Sequence, residues 1–347
     1  MHGGDIYFTE EKLLDFSANI NPFGIPESVM TAIRNALPEI VHYPDQEQRK
    51  LRKVIADYHR IPEEWIICGN GGADVLFRTV QTILPVHALI PVPTFTEYEE
   101  ALKENFCEVT HWTMEMPYFS ITEKLLPELE KNNYDFLVLC NPNNPTGLCI
   151  ERALLLRIME ICRERKIFVL LDECFFDMTD IQAEKFSMIR KIQDFPNVFI
   201  LKSMTKLYAI PGLRSGYGIC SDSELIRSIR GIGQPWSVNT LASVAGCAAL
   251  QEEHYRIQFL EFLEQERRFL YAELKKLNFQ VWDSRANYLF FQAEQYPDLD
   301  QQLLAYHILI RHCDSYPTLD KSYYRIAVRT HEENLYLLDS LREMIQK

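Results

Sequence analysis

The sequence predicts an α/β fold. A large domain with a mostly parallel sheet between helices is expected over about residues 45–245, and a small α+β domain from residues 1–44 and 246–347. Three observations predict it. From about residue 45 to 240, strand-like and helix-like segments alternate. Four apolar runs in that stretch end directly in polar or glycine-rich residues, and in open α/β sheets ligands bind beyond the carboxyl ends of the strands. Past residue 240 the pattern changes to a long charged and apolar segment followed by short strand-like runs.

The elements follow in order. Trp65-Ile66-Ile67-Cys68 reads as a strand and runs into Gly69-Asn70-Gly71-Gly72-Ala73-Asp74. Phe136-Leu137-Val138-Leu139-Cys140 runs into Asn141-Pro142-Asn143-Asn144-Pro145-Thr146-Gly147. Residues 167–171 are apolar and close on Asp172. Val198-Phe199-Ile200-Leu201 leads to Ser203-Met204-Thr205-Lys206, with Arg214 eight positions on. Residues 241–277 read as one helix leaving the large domain. Residues 279–282, 288–291, 308–311 and 324–328 read as strands, and 332–347 as a closing helix.

Composition narrows the function. At 347 residues, 47% hydrophobic and 12% aromatic, the chain can bury a sizeable core. A net charge of −13 argues against broad nucleic-acid binding. No run of 18 apolar residues is present, so no membrane span is expected. The N-terminus lacks a basic region followed by an apolar one, so a cytoplasmic protein is expected. Nine cysteines without a Cys-x-x-Cys read as small buried residues in a reducing compartment. His2, His42 and His59 show no metal-ligand spacing, and no metal is expected.

The polar residues at the strand ends suit one chemistry. A lysine such as Lys206 at the end of a buried strand can hold a carbonyl cofactor covalently. Pyridoxal 5'-phosphate needs that lysine and a carboxylate for its ring nitrogen. It also needs a donor to its phenolate oxygen, and backbone N–H groups at a helix start for its phosphate. Lys206, Asp172, Asn144 and the turn Gly71-Gly72-Ala73 fill those four roles. Singly, each has an ordinary reading: Asn144 as a turn residue before proline, Asp172 as a cap, Arg214 as a surface charge. Their joint order favours the chemical one.

With these motifs the chain resembles the fold-type I pyridoxal phosphate enzymes, in the branch of histidinol-phosphate aminotransferase. Asn-Asn-Pro-Thr-Gly (143–147), Asp172-Glu173, Thr205-Lys206 and Gly212-Leu213-Arg214 carry the resemblance. It implies that Ser203, Thr205 and Arg214 meet the cofactor phosphate and that Phe95 stacks on its ring. It also implies that Tyr43 reaches the cofactor phosphate of a neighbouring subunit, which makes a homodimer with shared sites.

Further segments are similar to the threonine-phosphate decarboxylases of cobalamin biosynthesis. They are His2-Gly3-Gly4 with residues 15–22, Pro235-Trp236-Ser237-Val238-Asn239, and 308–311 with 323–329. That resemblance implies decarboxylation of L-threonine O-3-phosphate to (R)-1-amino-2-propanol O-2-phosphate. Arg311 and Arg325, with His2, Gly3 and Asn19, are then the expected grip on the substrate. Whether Arg325 meets phosphate, carboxylate or both stays open. Phe175 stands where aminotransferases of the branch often carry a tyrosine that bonds the phenolate oxygen, which favours decarboxylation. The alternative is a histidinol-phosphate or related aminotransferase. A non-catalytic sensing module is disfavoured by the retained Lys206.

Overall fold

The computed structural model describes residues 3–346. Its strands are β1 (Leu14–Asp15), β2 (Ile66–Asn70), β3 (His87–Val92), β4 (Glu108–Thr113), β5 (Phe136–Cys140), β6 (Phe168–Asp172) and β7 (Val198–Ser203). There follow β8 (Ser215–Ile219), β9 (Gln280–Val281), β10 (Tyr288–Gln292), β11 (Ile308–Leu309), β12 (Arg311–His312) and β13 (Tyr323–Ala327). The large sheet has the order β2-β8-β7-β6-β5-β3-β4. Neighbours from β7 to β4 pair in parallel, while β8 is antiparallel to both β2 and β7.

The sheet is covered on both faces because its central strands are apolar throughout. β5 is buried along its whole length. Alternation along each strand divides the core in two. Leu137, Leu139, Val169, Leu171 and Ile200 pack on one face with helix Arg152–Arg165. Phe136, Val138, Leu170, Phe199 and Leu201 pack on the other with helix Gly71–Ile83. The same alternation puts the strand-terminal Asp172 and Ser203 on the second face, and Lys202, with Glu173 just past β6, on the first.

The C-terminal part forms an antiparallel sheet, β12-β13-β10-β9. The N-terminal segment joins it. β1 pairs in parallel with β11, and the Ala327 N–H donates to the Phe16 carbonyl at 2.7 Å.

Two expectations change here, and one strand, β8, carries no clear signal in the sequence. Residues 308–311 are not one strand: the run crosses from β1 to β13, pairing first parallel and then antiparallel, with Ile310 buried at the crossing. Residues 241–277 are two helices, Thr240–Ala249 and Glu253–Lys276. The break at 250–252 contains neither glycine nor proline, so composition does not announce it. The strand signal of β8 is weak because Gly216 and Gly218 interrupt its β-forming residues. All nine cysteines are unpaired. No helix among the described residues is long and apolar enough to cross a membrane.

Candidate active site

A cavity of about 620 Å³ opens where β5, β6 and β7 end, below the N-terminal segment and the small sheet. Asp172 lies at its floor, 6% exposed. Its Oδ1 accepts the Cys174 N–H at 2.7 Å, and its Oδ2 accepts the Tyr98 hydroxyl at 2.6 Å. Both oxygens are thus held by donors from different elements.

Lys206 follows β7 and points into the same cavity. Its Nζ donates to Thr205 Oγ1 at 3.0 Å and stands 5.8 Å from the centre of the Phe175 ring. Burial pushes the amine below its ordinary value. The Arg214 and Arg325 guanidiniums push the same way, against Cys174 and Asp172. The loop that carries Lys206 is pinned from the N-terminal segment: Asn21 N–H donates to the Lys206 carbonyl at 3.1 Å, and Asn21 Nδ2 to that of Leu207 at 2.8 Å.

Helix Gly71–Ile83 starts at one end of the cavity, and no side chain caps it. Its first N–H groups therefore stay available to an anion. Gly71 is required there: its φ is +85°, and a Cβ would come within 2.6 Å of an Arg214 guanidinium nitrogen. Gly72, Ala73, Ser203, Thr205 and Arg214 line this end, and the Ser203 and Thr205 hydroxyls are 2.7 Å apart. Phe95 lines the cavity half-buried.

At the other end stand two buried arginines. Arg311 is 8% exposed, donates to Ser315 Oγ at 2.8 Å, and packs over the Tyr316 ring. Arg325 is 5% exposed. It donates to the Ser17 carbonyl at 2.8 Å and to Asn144 Oδ1, while its buried Nε has no partner. Tyr316 also donates to Asn144 Oδ1, at 3.2 Å. With that oxygen taken twice, the Asn144 amide presents its N–H groups as donors. Asn19 lines the cavity with a buried, unpartnered Oδ1. Gly3 closes over Arg325, so tightly that a Cβ would lie 2.2 Å from the Ser17 carbonyl oxygen.

Residues 11–341 match the family described as aminotransferase class I and II. The chain belongs to that family. Threonine-phosphate decarboxylase of Salmonella typhimurium is 39% identical over 354 residues, covering 99% of this chain and 96% of that protein. The solved structure of histidinol-phosphate aminotransferase from Clostridium acetobutylicum superposes with a TM-score of 0.90 at 30% identity, covering 96% of this chain and 99% of that one. That of L-threonine-O-3-phosphate decarboxylase from Porphyromonas gingivalis gives 0.85 at 24% identity, with the same coverage.

Pyridoxal 5'-phosphate, expected from the sequence and proper to the aminotransferase class I and II family, fits the residues present. An uncapped helix start and two hydroxyls suit a phosphate. An Asn144 amide with its oxygen occupied suits a phenolate oxygen, and an oriented carboxylate suits a ring nitrogen.

Most residues singled out from the sequence converge on the cavity. Three do not. Gly71 supports the turn from just behind the lining. Tyr43 is 80% exposed and stacks on Trp236 at 4.6 Å, away from this cavity. His2 lies outside the described residues. Sequence reasoning missed Tyr98, Tyr316 and Ser17. Tyr98 is three positions past Phe95, in the first turn of the helix that starts at Glu97, and that closeness in the chain is its one available signal. Tyr316 and Ser17 carry none, since their partners are far away in the chain.

Proposed function

We propose that this protein is a pyridoxal 5'-phosphate-dependent decarboxylase of L-threonine O-3-phosphate, releasing carbon dioxide and (R)-1-amino-2-propanol O-2-phosphate for cobalamin biosynthesis. The observation that carries this reading is the pair Arg311 and Arg325, both buried and both facing the cavity that holds Lys206. Buried guanidiniums with unfilled donors call for anionic partners. A substrate with a carboxylate and a phosphate at opposite ends supplies two. The relative named threonine-phosphate decarboxylase, matching nearly end to end, points to the same substrate.

When bound, the cofactor supplies an electron sink for the pair released as the Cα–carboxylate bond breaks. The chain does the rest. Asp172 holds the proton on the ring nitrogen. Asn144 donates to the phenolate oxygen, with its amide oriented by Arg325 and Tyr316. Phe175, buried against Tyr288 with ring centres 5.1 Å apart, cannot add a second donor there. The helix start at Gly71–Ala73, Ser203, Thr205 and Arg214 hold the cofactor phosphate, and Phe95 covers the ring. Arg311 and Arg325, with Asn19 and the closing segment at Gly3, hold the substrate so that the carboxylate bond is the one presented for cleavage. Lys206, its amine eased toward neutrality by burial, returns a proton to Cα.

The same reading includes a homodimer in the cytoplasm. Tyr43 and Trp236 form an exposed aromatic pair suited to reach a second copy, and nine unpaired thiols suit a reducing compartment. The large domain, residues 45–245, carries the cofactor. Residues 1–44 and 246–347 carry the substrate grip.

The test is incubation with pyridoxal 5'-phosphate and L-threonine O-3-phosphate, with mass detection of the phosphorylated amino alcohol. The expected result is that product without added keto acid. Sustained amino transfer from histidinol phosphate to 2-oxoglutarate, with no carbon dioxide from threonine phosphate, would overturn it in favour of an aminotransferase.

A further inference from the structure

Tyr98 lies on helix Glu97–Glu104, and its ring packs edge to face on Phe95 with centroids 5.5 Å apart. It is 1% exposed, and its hydroxyl donates to Asp172 Oδ2 at 2.6 Å. The Cys174 N–H takes Oδ1 at 2.7 Å. The carboxylate cannot turn without breaking one of these bonds. The entry to one helix and its first turn thus bring together the aromatic proposed to cover the cofactor ring and the hydroxyl that holds its carboxylate partner.

We propose that Tyr98 is a positioning residue that sets the charge on the cofactor ring through Asp172. The proposal rests on the cofactor reading above. A donor to an ionised carboxylate lowers its proton affinity. With Tyr98 donating, the proton between Asp172 and the ring nitrogen stays on the nitrogen, and the ring remains a strong electron sink. Without it, Asp172 is more basic and freer to turn, and the ring loses part of its charge. The phenol is suited to this role, because burial, then the charge of Asp172, push it well above its ordinary value and keep it a neutral donor. The other titratable groups about Asp172 are Cys140 on the adjacent strand, Cys174 and Lys206; Arg214 and Arg325 act on Lys206 in turn. Burial pushes both thiols up, so neither adds a charge.

The experiment is a pH titration of the visible absorption that the bound cofactor gives in the holoenzyme, for the parent, Tyr98→Phe and Asp172→Asn. A less positive ring lets the lysine–cofactor nitrogen hold its proton to higher pH. The titration therefore moves up in Asp172→Asn. In Tyr98→Phe it moves the same way by less, about half a unit to one unit. Placing 3-fluorotyrosine at position 98, a more acidic phenol and stronger donor, moves it down. Tyr98→Phe titrating with the parent while Asp172→Asn shifts would overturn the role of Tyr98. So would a lowered melting temperature as the sole effect. A parent with no visible band, or an Asp172→Asn protein titrating with the parent, would instead overturn the cofactor reading and this proposal with it.

Discussion

Asp172 and Glu173 are chain neighbours, and Lys202 and Lys206 stand four positions apart, yet the two pairs live in different worlds. Asp172 and Lys206 open into the cavity. Glu173 and Lys202 are sealed on the opposite face, 0% and 1% exposed as side chains. There Lys202 Nζ meets Asp177 at 2.6 Å and Glu173 at 3.8 Å. Glu173 also accepts the Ser187 hydroxyl at 2.5 Å and the Met188 N–H at 3.0 Å. Burial alone would depress Lys202, but Asp177 and Glu173 outweigh it and the amine is raised. At Lys206 burial lowers the amine, and the cations Arg214 and Arg325 work against the offset that Cys174 and Asp172 would give. The same residue types thus give a neutralised support on one face and a reactive group on the other. What separates them is whether neighbouring carboxylates offset burial: Asp177 and Glu173 do so for Lys202, whereas around Lys206 Arg214 and Arg325 oppose Asp172 and Cys174.

The sharpest way to break this contrast is to remove each lysine in turn. Lys206→Ala should lower decarboxylation by roughly 10²–10⁴-fold, the range for losing a positioned proton-transfer group, with little change in unfolding free energy. Lys202→Ala should do the reverse. It strips a buried cation from Glu173 and Asp177 and should cost about 3–5 kcal/mol of stability, while turnover per folded molecule stays near the parent's. Steady-state rates beside denaturant unfolding of the holoenzyme check both. Loss of activity with normal stability in Lys202→Ala would mean that the two faces are not separate.

Much of this was legible in the sequence, for a physical reason. Buried parallel strands are continuous apolar runs, so their ends are abrupt, and the residue just past each end belongs at the ligand crevice. Asp172, Asn144 and Lys206 are of this kind. Tyr98 and Tyr316 are not, because a hydroxyl's partner 74 or 172 positions away leaves no local trace. Nor does alternation alone tell which of Asp172 and Glu173 faces the cavity; the sheet decides that. The split at residue 310 was hidden because pairing partners, not composition, end β11 and begin β12.

Within the cavity, the arginines sharpen the comparison from the substrate side. Arg311 contacts Ser315 and the Tyr316 ring but, among the described residues, has no carboxylate partner, unlike Lys202. Arg311→Ala should raise KM and lower kcat for threonine phosphate together, a loss on the order of 2–5 kcal/mol. Remote binding energy orients the reacting bond, so plain L-threonine should be a very poor substrate even at saturation. Kinetics on both substrates, with deuterium exchange at Cα as a measure of misoriented cleavage, test this. Full activity on unphosphorylated threonine would remove the phosphate as the orienting handle.

The smallest expected effect probes the sealed face through pH. His59, 7% exposed, pairs its Nε2 with the Tyr217 hydroxyl at 2.8 Å. Burial first, then the charge on Lys202, hold its pKa down to about 3, from an ordinary 6.5. Once the chain unfolds, His59 takes up a proton below about pH 6.5, whereas in the folded protein it stays neutral until about pH 3. Between those values the unfolded chain binds the extra proton, so stability falls as the pH falls. The slope approaches about 1.36 kcal/mol per pH unit at most, so about 1–2 kcal/mol should be lost between roughly pH 7 and 5. His59→Gln keeps a polar partner for Tyr217 but cannot titrate. Its unfolding free energy should be flatter than the parent's over that window by the same amount. Parallel curves for the two proteins would show that His59 takes up its proton alike in the folded and the unfolded chain, and hence that burial and the charge on Lys202 do not hold it neutral.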